Sequence, residues 1–269
     1  MNKTFSILGT GKIGTALTAL LLEKGWDLCY AYDQSEKHLN DFLNKFSPEK
    51  NRNKPSDCLF ICIKDDNFSV CFNDLMKGVY PISNHLIHTS GFHKAAFFQA
   101  VKDKYSIGIH SFHPMISVIN TDPSEGSALL KKAWWALSGD DAGWMDAFMS
   151  ELELSHFILD DEKKDFYHAA AVMTANLIIG VLRAAEKTAS VAGIHPDEYE
   201  KIYLPLVDSV IEHVHQEGLH HALGGPIVRR DFKLLNREKE ILKIAGLSSE
   251  HDIYSLLSDY LIHLTENKI

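Results

Sequence analysis

Two short segments of the chain bring histidine together with hydroxyl side chains, the groups that often carry protons in enzymes. They are residues 88–91 (His-Thr-Ser-Gly) and 110–115 (His-Ser-Phe-His-Pro-Met), each at the end of a predicted strand. Ligands of open α/β sheets bind at this edge, and histidine titrates in the physiological range. We therefore predict His113 as an acid/base residue, with Ser90 as a hydrogen-bonding partner. The alternative is a histidine that caps a turn, and the first histidine of each segment is expected to be packed in its strand.

A glycine-rich turn near the start of the chain has the spacing of an anion-binding loop. It follows the predicted strand of residues 4–8 and consists of Gly9, Thr10, Gly11, Lys12, Ile13 and Gly14. In this pattern the first glycine permits a tight turn, the second lets a pyrophosphate approach the backbone, and the third lets helix and strand pack closely. The helix that starts here offers free amides to the anion. The turn predicts a dinucleotide site, and a glycine-rich turn without a ligand is the alternative.

An acidic residue, Asp33, follows the second apolar strand, 19 residues after Gly14. A carboxylate at this distance can hydrogen-bond the ribose hydroxyls of a dinucleotide. It would repel a 2′-phosphate, and neither Gln34 nor Ser35 supplies an arginine that would attract one. The sequence therefore favours NAD over NADP as the cofactor, whereas an Asp33 that only caps a helix would carry no preference.

A long helical pattern over residues 163–190 is apolar on nearly all sides, which predicts a buried helix. Its polar residues His168 and Asn176 lie two turns apart and could face one cleft. Buried without partners, each would cost about 1–3 kcal/mol, so they either take part in a site or tie helices together. Farther along, a glycine turn leads to Arg229. This arginine could bind a substrate carboxylate or phosphate, or form an ion pair with a nearby acid.

The elements that must position these side chains follow from hydrophobic periodicity. Short apolar runs alternate with amphipathic stretches over the first 160 residues, as a mainly parallel sheet covered by helices requires. The predicted strands are residues 4–8, 27–32, 58–63, 85–88, 106–111, 133–137 and 155–159. After them, apolar residues recur at helical spacing. We predict an α/β protein with a doubly wound Rossmann domain over 1–158 and an all-helical second domain over 159–269.

Composition and charge exclude several classes of protein. The 269 residues are 45% hydrophobic and carry a net charge of −9 without a basic run, so nucleic acid is not an expected partner. We expect neither a secretion signal nor an apolar run of membrane-spanning length. The cysteines, which are Cys29, Cys58, Cys62 and Cys71, lack metal-type spacing, and the histidine spacings match no zinc signature, so no metal is expected. These features favour a soluble, cytoplasmic protein without disulfides.

Several motifs together resemble one family, the Rossmann-like proteins whose C-terminal part is domain of unknown function 2520 and which are often labelled oxidoreductases. Beside the glycine loop, the motifs are His88-Thr89-Ser90-Gly91, His113-Pro114, Tyr167-His168-Ala169-Ala170-Ala171, Asn176, Leu204-Pro205-Leu206-Val207, and Gly225-Pro226 with Arg229 and Asp231. The resemblance covers almost the whole chain. It implies a helical second domain like that of 6-phosphogluconate dehydrogenase, pyrroline-5-carboxylate reductase and prephenate dehydrogenase, an active site between the domains, and a homodimer. Gly224 and Arg230 depart from the family, which often has threonine and glycine there.

Motifs and resemblance together predict an oxidoreductase that transfers a hydride between NAD(H) or NADP(H) and a small, acidic substrate, such as a hydroxy acid, an oxo acid or an imine. His113 would exchange the proton with help from Ser90 and His168. Asn176 would orient the substrate, and Arg229 would hold its acid group. One alternative is a prephenate or arogenate dehydrogenase, which residues 113–115 resemble, although Ile116-Ser117 replaces a usual glycine. The other is a protein that binds NAD(P) and senses its redox state without turnover.

Overall fold

The computed structural model describes residues 3–46, 55–120 and 122–266. The chain forms two compact units, the first ending at Ala171 and the second beginning at Val172. This division lies beyond the boundary predicted at residue 158. The reason is that the first turns of helix α7 (Lys164–Val172) hydrogen-bond to strand residues of the first unit.

Seven strands form one sheet in the first unit. Their bounds are β1 Thr4–Leu8, β2 Asp27–Tyr32, β3 Cys58–Ile61, β4 His85–His88, β5 Gly108–Pro114, β6 Trp135–Gly139 and β7 His156–Ile158. The order across the sheet is β2-β1-β3-β4-β5-β6-β7, and neighbouring strands are parallel except for β5 and β6. The prediction of a doubly wound, mainly parallel sheet is confirmed.

Strand β5 runs farther than predicted, so His113 lies within a strand rather than in the loop after it. Pairing with β4 stops at Ser111, which is also where the apolar pattern stops. Antiparallel pairing with β6 extends the strand, because His113 pairs with Ala136 and Pro114 pairs with Trp135. A ladder of backbone hydrogen bonds therefore fixes the position of His113.

Helices cover both faces of the sheet. In the first unit they are α1 Lys12–Glu23, α2 Glu36–Phe46, α3 Phe68–Lys77, α4 Gln99–Tyr105, α5 Pro123–Lys132 and α6 Ala142–Glu151, followed by α7. Strand β3 shows the consequence: Cys58 and Phe60 pack into the core beneath α1 and α6, whereas Leu59 and Ile61 pack into the core beneath α3 and α4. A strand that is apolar on both faces is typical of such a sheet. Each large apolar side chain that is fully buried contributes about 1.5–3 kcal/mol.

The second unit is helical throughout its described part, as predicted. A π-helical turn at Met173–Leu177 is followed by α8 Ile178–Val191, α9 Pro196–Glu217, α10 Gly225–Val228, α11 Phe232–Ile244 and α12 Ser248–Glu266. Buried apolar side chains are few among these residues. They are Ala189, Tyr199, Leu235, Leu242 and Leu247.

The apolar helix that the sequence predicted to be buried is exposed in the single chain. Met173, Leu177 and Ile179 expose 63%, 54% and 58% of their surface. The chain is helical without a break over Asp161–Val191, and an 18-residue window there has a mean hydropathy of 1.4 with none of it buried. By length and composition this helix could cross a membrane, whereas the sequence analysis expected no such segment. The helix lacks one long run of large apolar residues, but its many alanines raise the mean hydropathy.

Candidate functional site

The glycine loop turns at the carboxyl end of β1, and its three glycines meet different surroundings. Gly9 has a φ of +95°, and a Cβ there would lie 2.4 Å from the carbonyl oxygen of Cys62. A Cβ at Gly14 would lie 2.0 Å from the carbonyl oxygen of Gly9. At Gly11, by contrast, nothing lies within 4 Å of the Cβ position. The first and third glycines are therefore required for the turn and its packing, while the second leaves an open face for a ligand.

Helix α1 presents its amino end to this open face. Gly11 is its N-cap residue, and no side chain caps the amides of the first turn. Such amides are unused hydrogen-bond donors at the positive end of the helix dipole. Residues Thr10 to Ile13, including exposed Lys12, line the adjoining cleft. All predicted loop residues thus lie at one place, where a pyrophosphate could be held.

Asp33 follows β2 and ties that strand to the glycine loop. One carboxylate oxygen accepts hydrogen bonds from the Thr10 amide at 2.8 Å and from the Thr10 hydroxyl at 3.0 Å. The other accepts from the amide of Ser35 at 2.8 Å and lies 3.8 Å from Nδ1 of His38. The carboxylate is therefore held in one orientation beside the loop.

A cavity of about 290 Å³ adjoins Asp33 and the glycine loop. Leu8, Tyr32 and Tyr80 contribute apolar wall, and Asp33 and Gly11 contribute its polar side. The open Gly11, the free α1 amides and the carboxylate together fit a dinucleotide. The cavity suits its flat base, and Asp33 could bind the adjacent ribose.

His113 hydrogen-bonds to the helix that follows the sheet. Its Nδ1 lies 2.7 Å from the hydroxyl oxygen of Tyr167 on α7. Burial, together with the nearby Lys164 and His168, lowers the pKa of His113 to about 4, although Asp65 acts in the opposite direction. The imidazole is thus neutral at neutral pH. Because Nδ1 is engaged, Nε2 is the nitrogen that can exchange a proton with a ligand.

Lys164 belongs to the same cluster and was missed by the sequence analysis. Its side chain is only 1% exposed, and its ammonium group donates a hydrogen bond to Oγ of Ser111. Burial lowers the pKa of Lys164 to about 8, although Asp161 and Asp65 act in the opposite direction. Lysine is almost never buried without a carboxylate partner, so this placement points to a function.

One face of α7 carries three side chains that approach β5 and the loop after β4. Lys164, Tyr167 and His168 are spaced i, i+3 and i+4, which puts them on neighbouring positions of one helix face. This Lys-x-x-Tyr-His spacing was visible in the sequence. It did not single out Lys164, because a lysine in the first turn of a helix is normally solvated.

His168 and His113 converge on Gly91. A Cβ at Gly91 would lie 2.8 Å from both Nε2 of His113 and Nδ1 of His168, so the absence of a side chain lets both rings approach the loop. Within the described structure, Nδ1 of His168 is buried without a hydrogen-bond partner. The structure therefore brings two of the predicted catalytic residues together.

Ser90 and His88 have contacts that shape the loop after β4. Oγ of Ser90 accepts hydrogen bonds from the amides of residues 92 and 93 at 3.1 and 2.9 Å. His88 is fully buried, and its Nε2 lies 3.3 Å from the carbonyl oxygen of Lys94. Ser90 is thus close to His113 in the fold, with its hydroxyl engaged in the turn.

The remaining histidines of the sheet lie elsewhere. His110 is buried, 3.1 Å from His85, and both rings stack on Trp144 nearer the amino ends of β4 and β5. Across the described ranges, no group of three or more histidine, cysteine or acidic side chains could hold a metal ion.

Asn176 and Arg229 belong to the second unit. Asn176 lies exposed in the π-helical turn, a feature that is often found at functional sites. Arg229 follows α10 and is exposed. The nearby acid Asp231 caps α11 by accepting a hydrogen bond from the amide of Leu234 at 3.1 Å. The roles of Asn176 and Arg229 in a site stay predictions.

Comparison with known proteins supports the fold. A protein of Bacteroides fragilis, provisionally described as an NADP oxidoreductase, has a similar structure with a TM-score of 0.74 and 20% identity, over 97% of this chain and 98% of that one. A protein of Thermotoga maritima gives a TM-score of 0.75 and 22% identity over 98% and 99%. A reductive aminase of Aspergillus terreus, in complex with NADPH and ethyl levulinate, gives 0.61 and 12% over 99% and 95%.

At the sequence level, no curated protein matches the chain. Residues 134–261 match the family described as domain of unknown function DUF2520. The resemblance stated from the sequence motifs is confirmed. The chain thus has a Rossmann-type fold, and its residues 134–261 are similar to the DUF2520 family.

Proposed function

We propose that the protein is an oxidoreductase that uses a nicotinamide dinucleotide to oxidise or reduce a small, acidic substrate. One observation carries this proposal: the open glycine loop after β1 and His113 at the end of β5 lie at the same carboxyl edge of the sheet. That edge is where α/β proteins bind their ligands. The fold neighbours described as an NADP oxidoreductase and as an NADPH-bound aminase support a nicotinamide cofactor.

The residues of the chain would move the proton that accompanies hydride transfer. When bound, a nicotinamide ring supplies or takes up the hydride. His113 exchanges the proton with the substrate through Nε2, while the Tyr167 hydroxyl on Nδ1 holds the ring in one orientation. His168 flanks His113 above Gly91, and Ser90 shapes the loop that carries Gly91.

Arg229 and Asn176 would bind the acidic part of the substrate. Among the described residues the Arg229 guanidinium has no ion-pair partner, and its planar fork matches a carboxylate in geometry and charge. Asn176 can both donate and accept a hydrogen bond, which suits a substrate hydroxyl or carboxyl group. Both side chains are exposed and so are accessible to a ligand.

The cofactor we propose is NAD rather than NADP. The Asp33 carboxylate lines the 290 Å³ cavity and is held there by Thr10 and Ser35. A 2′-phosphate would bring a second negative charge to this position. Calorimetric titration with both nucleotides tests the preference, and tighter binding of NADP would overturn it.

We propose that the protein is cytoplasmic and forms a soluble homodimer, in which a second copy of the chain covers the exposed apolar helices. The described second unit buries few apolar side chains of its own, while Leu177, Ile179 and Leu206 are more than half exposed. Apolar surface of this extent is typical of an obligate interface. Sedimentation of the purified protein should give twice the chain mass. A monomer, or association with lipid vesicles instead, would refute the dimer.

The proposed activity is tested by binding followed by turnover. We expect nucleotide binding at or below millimolar concentration and oxidation of the reduced nucleotide when small oxo acids or cyclic imines are supplied. His113→Ala should lower turnover roughly 100-fold or more and leave nucleotide affinity unchanged. Absence of nucleotide binding would defeat the proposal. Binding without turnover would identify a redox sensor instead.

A further inference from the structure

Lys164 carries a charge that is buried without an ion-pair partner. Its ammonium group donates to the Ser111 hydroxyl, and in the described part of the chain no carboxylate lies within ion-pair distance of it. Asp161, one turn earlier, is engaged elsewhere. Its oxygens accept hydrogen bonds from the Ser138 hydroxyl at 2.8 Å and from the amides of residues 95 and 96 at 3.0 and 3.2 Å. The charge of Lys164 is therefore poorly compensated.

The groups that face Lys164 do not compensate its charge either. Burial lowers the pKa of His88 and of His113, and the Lys164 ammonium lowers both further. Beside them, His93 adds no negative charge, and Asp65 is an exposed carboxylate that acts only at a distance. At neutral pH the imidazoles of His88 and His113 are neutral and the Lys164 ammonium is charged, so the cluster around Nε2 of His113 is positive.

Taking the proposed function as given, we propose that the reacting group of the substrate is a carbonyl or hydroxyl group and not an imine or amine. Hydride addition to a carbonyl carbon develops negative charge on the oxygen, and a buried cation stabilises that charge. An imine must be protonated to accept hydride readily, and the resulting iminium cation would be repelled by Lys164. The Lys164 charge thus favours a substrate whose reacting carbon bears oxygen over one whose reacting carbon bears nitrogen.

The reduction balances with groups that are present. A reduced nicotinamide, when bound, would supply the hydride and its electron pair for the new C–H bond, and the electron pair of the C=O π bond would move to the oxygen. That oxygen takes the proton from Nε2 of His113. As Nε2 gives up its proton, the Tyr167 hydroxyl passes its own proton to Nδ1 and takes up another from water, so the imidazole stays neutral. The opposite sequence oxidises an alcohol.

Paired substrates test the selection in the unmodified protein. The probes are 2-oxo acids of two to six carbons and the cyclic imines 1-pyrroline-2-carboxylate and 1-piperideine-2-carboxylate, each with the reduced nucleotide. We expect turnover of an oxo acid to exceed that of every imine by roughly 100-fold. Equal or faster reduction of an imine would overturn this inference and leave the proposed function standing. No oxidation with either class, despite nucleotide binding, would defeat both.

A second measurement does not depend on turnover. The ring of His113 is followed by NMR across pH in the wild type, in Lys164→Met and in the matched control Lys163→Met, whose lysine is 73% exposed on the preceding position. Loss of the Lys164 charge should raise the pKa of His113, and loss of the Lys163 charge should not. An unchanged midpoint in Lys164→Met would show that the charge does not reach the reacting group, and the inference would fall.

Discussion

Separate replacement of Gly11 and Gly14 by alanine should show that one glycine of the loop is needed for ligand binding and the other for stability. The two residues lie three positions apart in the same turn, and each variant adds one methyl group. At Gly14 the methyl carbon would lie 2.0 Å from the carbonyl oxygen of Gly9, so the backbone must move. We expect a loss of about 1–3 kcal/mol in the free energy of unfolding, or more.

At Gly11 the same methyl group meets no atom within 4 Å. The backbone there has φ −69° and ψ −159°, which alanine adopts without strain. The free energy of unfolding should therefore change by less than about 0.5 kcal/mol. The methyl group would, however, stand where a pyrophosphate must approach. We expect nucleotide affinity to fall at least tenfold, which is about 1.4 kcal/mol.

The assay is urea denaturation of both variants, paired with calorimetric titration of NAD and NADP. The wild-type protein is the reference for both measurements. Two outcomes would refute the account of the loop: a Gly11→Ala protein as unstable as Gly14→Ala, or one that binds nucleotide as tightly as the wild type.

Three further changes test the other parts of the site. Tyr167→Phe removes the hydroxyl on Nδ1 of His113 and should lower turnover about tenfold with nucleotide affinity unchanged; equal loss of both would indicate a merely structural tyrosine. Asp33→Asn should weaken NAD binding and narrow its advantage over NADP in calorimetry, and an unchanged ratio would contradict the role of the carboxylate. Lys164→Met should raise the free energy of unfolding at pH 7 by about 1–3 kcal/mol, because the folded pKa of about 8 lies below the unfolded value of 10.5. Between pH 8 and pH 10.5 the unfolded wild type binds more protons than the folded wild type, so the wild-type free energy of unfolding rises with pH. The stability advantage of Lys164→Met, measured by urea denaturation, should therefore disappear by about pH 10.5.

Local patterns predicted the sheet well, because each parallel strand needs an apolar run that is buried on both faces. Strands β2 and β4 have the predicted bounds. The end of β5 could not be predicted in this way. His113 and Pro114 belong to the strand only because a distant segment, β6, pairs with them in the antiparallel direction.

Only part of the acid/base cluster was predicted, because its contacts also join segments that are distant in the sequence. His113 and His168 were found from residue type and position, whereas Lys164 and Tyr167 were not. A lysine in the first turn of a helix is normally solvated, and nothing in its own segment shows that Ser111 will be its partner. The prediction that the apolar helix of the second unit is buried was wrong for the single chain. Hydrophobic periodicity shows which face of a helix is apolar, but not whether residues of the same chain bury that face.

The antiparallel partner of β5 also bears on how easily this protein could change its chemistry in evolution. An insertion can displace a general acid that lies on a flexible loop. A residue held by the backbone hydrogen bonds of a strand keeps its position when neighbouring loops change. Variants with new substrate ranges should therefore carry their substitutions outside β5 and β6. His113 should be retained while the residues around it change.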